Sequence, residues 1–196
     1  MRAAARTTGL SLVFALAAIA VAQLAPAQTT RGSSSKERRY FSARQGVGIE
    51  APPGWTLSQH TGYPSVLVAL VHPGGSRISL AVDKTTVSDA AALVEQSKPG
   101  LAAQGLTVER VYPGPRGGIQ IDARAERRNQ ALRQLYIVRD IDGGRDGKQA
   151  IVLTLAAPFD QLAGATGPYE WVLSHLALET PLRTDSKADS KPDGGR

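Results

Sequence analysis

The 196-residue chain contains no cysteine, which excludes disulfides, thiolate-held zinc, iron–sulfur clusters and a cysteine nucleophile. Aromatic residues make up only 5% of it, too few for the stacking platforms that single-stranded nucleic acid requires. A hydrophobic run long enough to span a bilayer is also lacking: the uncharged stretch from Leu10 to Ala22 has 13 residues, where about 20 are needed. Apolar residues nevertheless reach 42% and charged residues only 20%, which is the balance of a chain that buries a core.

The formal charge of +6 becomes informative once it is apportioned. Arg2 and Arg6 precede the apolar run, and Ala25 and Ala27 follow it in an A-x-A pattern. That order of basic start, short apolar core and small-residue site is a Sec-type signal peptide over 1–27, cleaved after Ala27. Residues 28–39 form a basic linker of net +3, without a large apolar side chain. Residues 182–196 form a tail of net +1 that repeats Asp-Ser-Lys. Neither flank can bury enough surface to offset chain entropy, and both are expected to be disordered. Residues 40–181 form the single domain, and its 13 basic and 13 acidic residues cancel. A neutral domain offers no basic face to displace counterions, so nucleic acid is not expected as a partner. The expected product is exported, periplasmic or secreted, with no stable membrane insertion once the signal is removed.

Periodicity places the elements. Gly46 to Ala51 reads as a short strand stopped by Pro52-Pro53-Gly54, and Trp55 to Ser58 as the next. Val66 to His72 is a continuous apolar run, as expected of a central strand covered on both faces. After Pro73-Gly74-Gly75, Arg77 to Val82 alternates and closes a hairpin. Thr86-x-x-Asp89 fits a capping pattern before a helix that Pro99-Gly100 interrupts and Gly105 ends. Thr107 to Tyr112 is a strand. A three-strand meander follows over Ile119–Arg128, Leu132–Ile141 and Gln149–Ala157. In its first strand Ile119, Ile121, Ala123 and Ala125 face the core, while Gln120, Asp122, Arg124, Glu126 and Arg128 face solvent. A two-residue turn would set Glu126 opposite Arg133. The last helix opens at Pro168, with Tyr169, Val172, Leu173 and Leu176 as its buried stripe. The fold class is therefore α+β, an antiparallel sheet of about six to eight strands flanked by two main helices.

This order, with Val47-Gly48-Ile49-Glu50-Ala51-Pro52-Pro53-Gly54-Trp55 at its start and Pro158-Phe159-Asp160 before the closing helix, resembles the Mog-/PsbP-like fold. Within it the chain is most similar to the bacterial periplasmic branch around DcrB. The resemblance covers about residues 40–178. It implies accessory proteins that bind other proteins and share no catalytic site, and no functional residue of the family carries over to a position here.

Tests for chemistry return little. His60, His72 and His175 lack metal-ligand spacing, so no metal and no cofactor is expected. Ser174 and His175 are helix neighbours expected to point apart, which would deny them a dyad. The loop from Asp140 to Gly147 has Arg145 where a calcium loop needs Gly, and Ile151 where it needs Glu. Asp122 and Glu126, flanked by arginines, are expected to serve solubility. Trp55, His60 and Tyr63 surround a loop that could rim a cleft, although Trp55 suits a core position better. What is left is a second stripe on the last helix, Trp171 and His175 at i and i+4, as candidate partner-binding residues. The leading expectation is a non-enzymatic envelope protein that binds another, unknown envelope protein. The alternative is a carrier of a small apolar ligand or lipid in a cleft between sheet and helix.

Overall fold

The computed structural model describes residues 38–59, 61, 65–141 and 147–181. The signal peptide, most of the linker, the tail, His60, Tyr63 and the centre of the loop tested for calcium lie outside the described residues.

Seven strands form one antiparallel sheet in the order β3-β4-β5-β9-β8-β7-β6. They are β3 (Thr56–Ser58), β4 (Val66–Val71), β5 (Arg77–Thr85), β6 (Thr107–Pro113), β7 (Ile119–Ala125), β8 (Gln130–Asp140) and β9 (Lys148–Pro158). A second, three-stranded antiparallel sheet joins β1 (Arg39–Ser42), β2 (Val47–Glu50) and β10 (Ala177–Leu178), with β2 in the middle. The helices are α1 (Ala90–Ala103) and α2 (Leu162–Ser174). The architecture is α+β, as the periodicity predicts.

The large sheet separates two cores. On one face Leu70, Ile78, Leu80, Leu135, Ile151, Leu153 and Leu155 meet Tyr169, Val172 and Leu176 of α2 and the segment after it, together with Val47 and Ile49 of the small sheet. On the other face Ile121, Ala123, Ala125, Leu132, Tyr136 and Val152 meet Leu93, Val94 and Leu101 of α1. Strand β9 is buried from Gln149 to Ala157 because it is covered on both sides. It, and not Val66–Val71, is the central strand, while β4 lies second from one edge. A continuous apolar run therefore marks burial on both faces without fixing a strand's rank in the sheet.

Both helices run through a proline. Pro99 sits inside α1 and Pro168 inside α2. Pro99 and Glu95, whose carbonyl loses its helical donor, lie on the exposed side of α1, away from the apolar core. Helix α2 starts at Leu162, six residues before the expected Pro168. Gly164, Thr166 and Gly167 are poor helix formers that hide this first half in the sequence, but buried Ala165 anchors it. The cap of α1 is Asp89, whose Oδ1 accepts from the Ala92 N–H at 2.9 Å. The last residue of the S/T-x-x-D motif thus does the capping, three residues after Thr86.

The turn between β7 and β8 is longer than the two residues expected. Glu126–Arg128 form a 3-10 turn, and Asn129 closes it in the left-handed region at φ 47°. Glu126 and Arg128 therefore leave the sheet, and Arg133 faces Asp122. The small sheet is tied to the large one by Arg139, whose Nη2 donates to the carbonyls of Gln45 at 2.8 Å and Gly46 at 3.0 Å.

Candidate functional site

Two surfaces gather the chemistry-bearing side chains. The first surrounds the two residues singled out from the last helix. Trp171 is half-buried against the α2 core, and the exposed His175 ring stacks on it with centroids 3.8 Å apart and planes 18° apart. The stack leaves less of the indole open than a helix-surface position suggests, because the chain turns at His175 and folds the imidazole back.

Ser174 and His175 do not point apart: the Ser174 Oγ lies 2.9 Å from His175 Nδ1. Both converge on the Trp171 carbonyl, at 2.7 Å from Ser174 Oγ and 2.8 Å from His175 Nδ1. A carbonyl oxygen only accepts, so Nδ1 carries a proton and cannot take one from Ser174. The two side chains join the His175 backbone N–H, which donates to the same carbonyl at 3.2 Å, in closing the helix end. They do not make a nucleophile and its base.

Beside this helix end lies the outward face of the small sheet. Strand pairing sets Arg39 opposite Glu50, and Phe41 and Ala177 on either side of Gly48. Arg39 Nε donates to Glu50 Oε2 at 2.5 Å. That hydrogen bond, with the charges of Arg39 and Arg38, holds the carboxyl below its usual range against opposing desolvation. His175 lies two residues before Ala177, whose pairing with Gly48 brings the end of α2 to this sheet. Gly48 has no side chain for a physical reason: a Cβ there would come within 2.6 Å of the Tyr40 carbonyl and 2.7 Å of Phe41 Cδ2. Phe41 lies across the bare glycine and remains 46% exposed.

The second surface is one that sequence reasoning missed. Asp122 is only 9% exposed and stands between two arginines. Its Oδ1 accepts from Arg133 Nε at 2.8 Å and from the Tyr112 hydroxyl at 3.2 Å, and its Oδ2 accepts from Arg110 Nε at 3.1 Å and from Arg110 Nη2. Burial alone would raise the carboxyl's pKa, but the hydrogen bonds and charges of Arg133 and Arg110 hold it below the usual range. Asp122 therefore stays ionised and has no proton to give as a general acid. Solubility is not its role either, since its carboxylate is spent on positioning guanidinium groups. The signal that could have revealed it is the β7–β8 register, which the four-residue turn Glu126–Asn129 shifts from Glu126 to Asp122.

Among the described residues no three His, Asp or Glu side chains converge on a point where a metal could sit. Trp55 is buried, as its position after Pro-Pro-Gly suggests, and its ring tilts against His72 at 5.3 Å.

No family model matches the sequence, and no curated protein matches it. Solved structures do. The solution structure of cyanobacterial PsbP (CyanoP) from Synechocystis sp. PCC 6803 superposes with a TM-score of 0.52 at 14% identity, covering 76% of this chain and 98% of the other. The fold is PsbP-like. LpqN of Mycobacterium tuberculosis, described as involved in cell envelope biogenesis, superposes with a TM-score of 0.53 at 16% identity, covering 68% of this chain and 83% of its own. At such identities the likeness shows the fold alone. Within this PsbP-like frame, the small sheet with the end of α2 forms one surface, and the β6–β8 end of the large sheet forms the other.

Proposed function

We propose that the protein is an exported, non-enzymatic accessory protein of the cell envelope, of the periplasmic branch similar to DcrB, that binds another envelope protein. The observation that carries this reading is the exposed Phe41 laid over Gly48, next to the Trp171–His175 stack and the Arg39–Glu50 ion pair. An aromatic anchor rimmed by polar and charged groups is how protein interfaces concentrate binding energy. The basic start, 13-residue apolar run and A-x-A site support export. The description of LpqN supports an envelope role. No helix among the described residues is long and apolar enough to cross a membrane.

The carrier reading needs a cleft between helix and sheet. Tyr169 and Val172 are fully buried there and Leu176 is 2% exposed, so that space is filled by the protein's own side chains. Native mass spectrometry is expected to give the mass of the bare chain.

The binding reading is tested by affinity capture of the tagged protein from envelope extracts, compared with a Phe41→Ala/Trp171→Ala variant. The expected result is one envelope protein enriched by the parent chain and lost with the variant. Equal capture by a folded variant would remove this surface from the account.

A further inference from the structure

The neutrality of residues 40–181 conceals a separation of charge. Between Thr107 and Gln134 stand six arginines and three carboxylates, with no lysine, while the remainder of 40–181 holds seven basic and ten acidic residues. That stretch builds β6, β7, the first half of β8 and the turns between them, so this end of the domain has a basic excess and the remainder of the domain an acidic one.

Three observations meet at this end. Strand β6 is an edge of the sheet and pairs only with β7, so its outer backbone groups have no ladder partner. A shallow depression of about 600 Å3 runs along it, lined by Glu109, Arg110, Val111, Tyr112 and Arg133. Arg110 and Arg133 each give Nε and Nη2 to Asp122, and Nη1 of each has no partner among the described residues. Asp122 thus acts as a buried brace that fixes two guanidinium groups beside the edge strand. Arginines braced in this way need to lose little side-chain freedom on gripping a carboxylate.

We propose that the β6 edge binds an extended acidic segment of a partner protein, which pairs its backbone with β6 and places carboxylates on Arg110 and Arg133. This deepens the binding function proposed above and rests on it. Charge complementarity selects the occupant. A second copy of β6 would set arginine beside arginine, and the bulge between Val108 and Arg110 further discourages such self-pairing. An acidic strand meets the opposite condition, so the same arginines repel a copy of the chain and attract the partner.

The test is fluorescence anisotropy of a labelled peptide of alternating glutamate and valine with the mature chain. Three controls accompany it: a lysine–valine peptide, the acidic peptide N-methylated at alternate residues along either edge, and vesicles containing anionic phospholipid. Binding of the acidic peptide is expected, with no binding of the basic one and a loss on methylation of one edge but not the other. Arg110→Glu should weaken binding at least about tenfold, and because it sets a carboxylate beside Asp122 it also lowers the melting temperature, so Arg110→Gln, which keeps a donor towards Asp122, accompanies it and should weaken binding with a smaller loss of stability. The proposal is overturned if the acidic peptide does not bind, if Arg110→Glu binds it equally, if methylation of neither edge matters, or if only the vesicles bind in an Arg110-dependent way. Phe41→Ala/Trp171→Ala should leave peptide binding unchanged. Failure here with capture still dependent on Phe41 would remove the acidic segment and keep the binding protein.

Discussion

Asp122 on β7 stands directly across from Arg133 on β8, with Oδ1 2.8 Å from Nε. The pair is cross-strand and largely out of water, with side-chain exposures of 13% and 17%, which separates it from the other ion pairs of the protein. An exposed pair such as Lys98–Glu95 contributes little. A shielded carboxylate holding two guanidinium groups and a phenol contributes more, because its removal leaves the cations facing each other.

Asp122→Asn should therefore destabilise the fold by about 2 kcal/mol near neutral pH, lowering the melting temperature by about 4–8 °C. The carboxyl's pKa is lower folded than unfolded, so the stabilisation is complete above the unfolded value near 4 and is lost as pH falls through the folded one. Urea unfolding of both chains from pH 7 to pH 3 should show the difference narrowing below about pH 4. A gap that is constant with pH would mean that the carboxylate's charge is not what stabilises this edge.

Tyr136 gives the opposite dependence. It is fully buried, and its hydroxyl donates to Gln134 Oε1 at 2.8 Å, while Gln134 Nε2 donates to Thr154 Oγ1 at 3.0 Å. Burial pushes the phenol up to about 12. The folded chain therefore keeps a proton that the unfolded chain releases from about pH 10 upward, and stability falls over that window by as much as ~1.4 kcal/mol per pH unit. Tyr136→Phe should cost about 1 kcal/mol at pH 8 and show a shallower decline between pH 10 and 12. Denaturant unfolding across that range measures both.

The glycines of α2 carry no structural duty. A Cβ at Gly164 or Gly167 meets nothing within 4 Å, so Gly164→Ala and Gly167→Ala should each stabilise the protein by about 0.5–1 kcal/mol. Gly46 is the contrasting case. Its φ is +60°, and a Cβ there would overlap the Glu179 carbonyl, so Gly46→Ala should loosen the small sheet and lower the melting temperature. Thermal unfolding of the three variants should give opposite signs.

The sheet was legible because its strands announce themselves by alternation or continuous burial: the start at Ile119, the run into Asp140 and the apolar stretch through Leu155 read correctly, and so did buried Trp55, whereas the strand expected to reach Arg128 ends at Ala125, and Gln120 and Asp122, expected to face solvent, are buried. What stayed hidden depended on contacts between distant segments. Strand β1 opens at Arg39, within a stretch whose composition suggests a linker, because its pairing with Glu50 and Ile49 is a tertiary fact. Likewise β10, two residues long, exists through its ladder with Val47 and Gly48. The first half of α2 was masked by its glycines and Thr166. The Asp122 brace was hidden by a turn two residues longer than assumed, and the basic end of the sheet by a net charge that cancels over the whole domain. Trp171 and His175 were legible as neighbours on a helix, but their stacking follows from the chain's turn at His175.

The proposed protein-binding surface is made by the small sheet and the end of α2. It is tested most directly by a photocrosslinking amino acid placed at Phe41 in intact cells, with Glu95, exposed on α1, as the reference position. The account predicts one discrete adduct with an envelope protein from position 41, absent from position 95 and lost when Trp171→Ala is added. No adduct from position 41, or the same pattern from both positions, would contradict it.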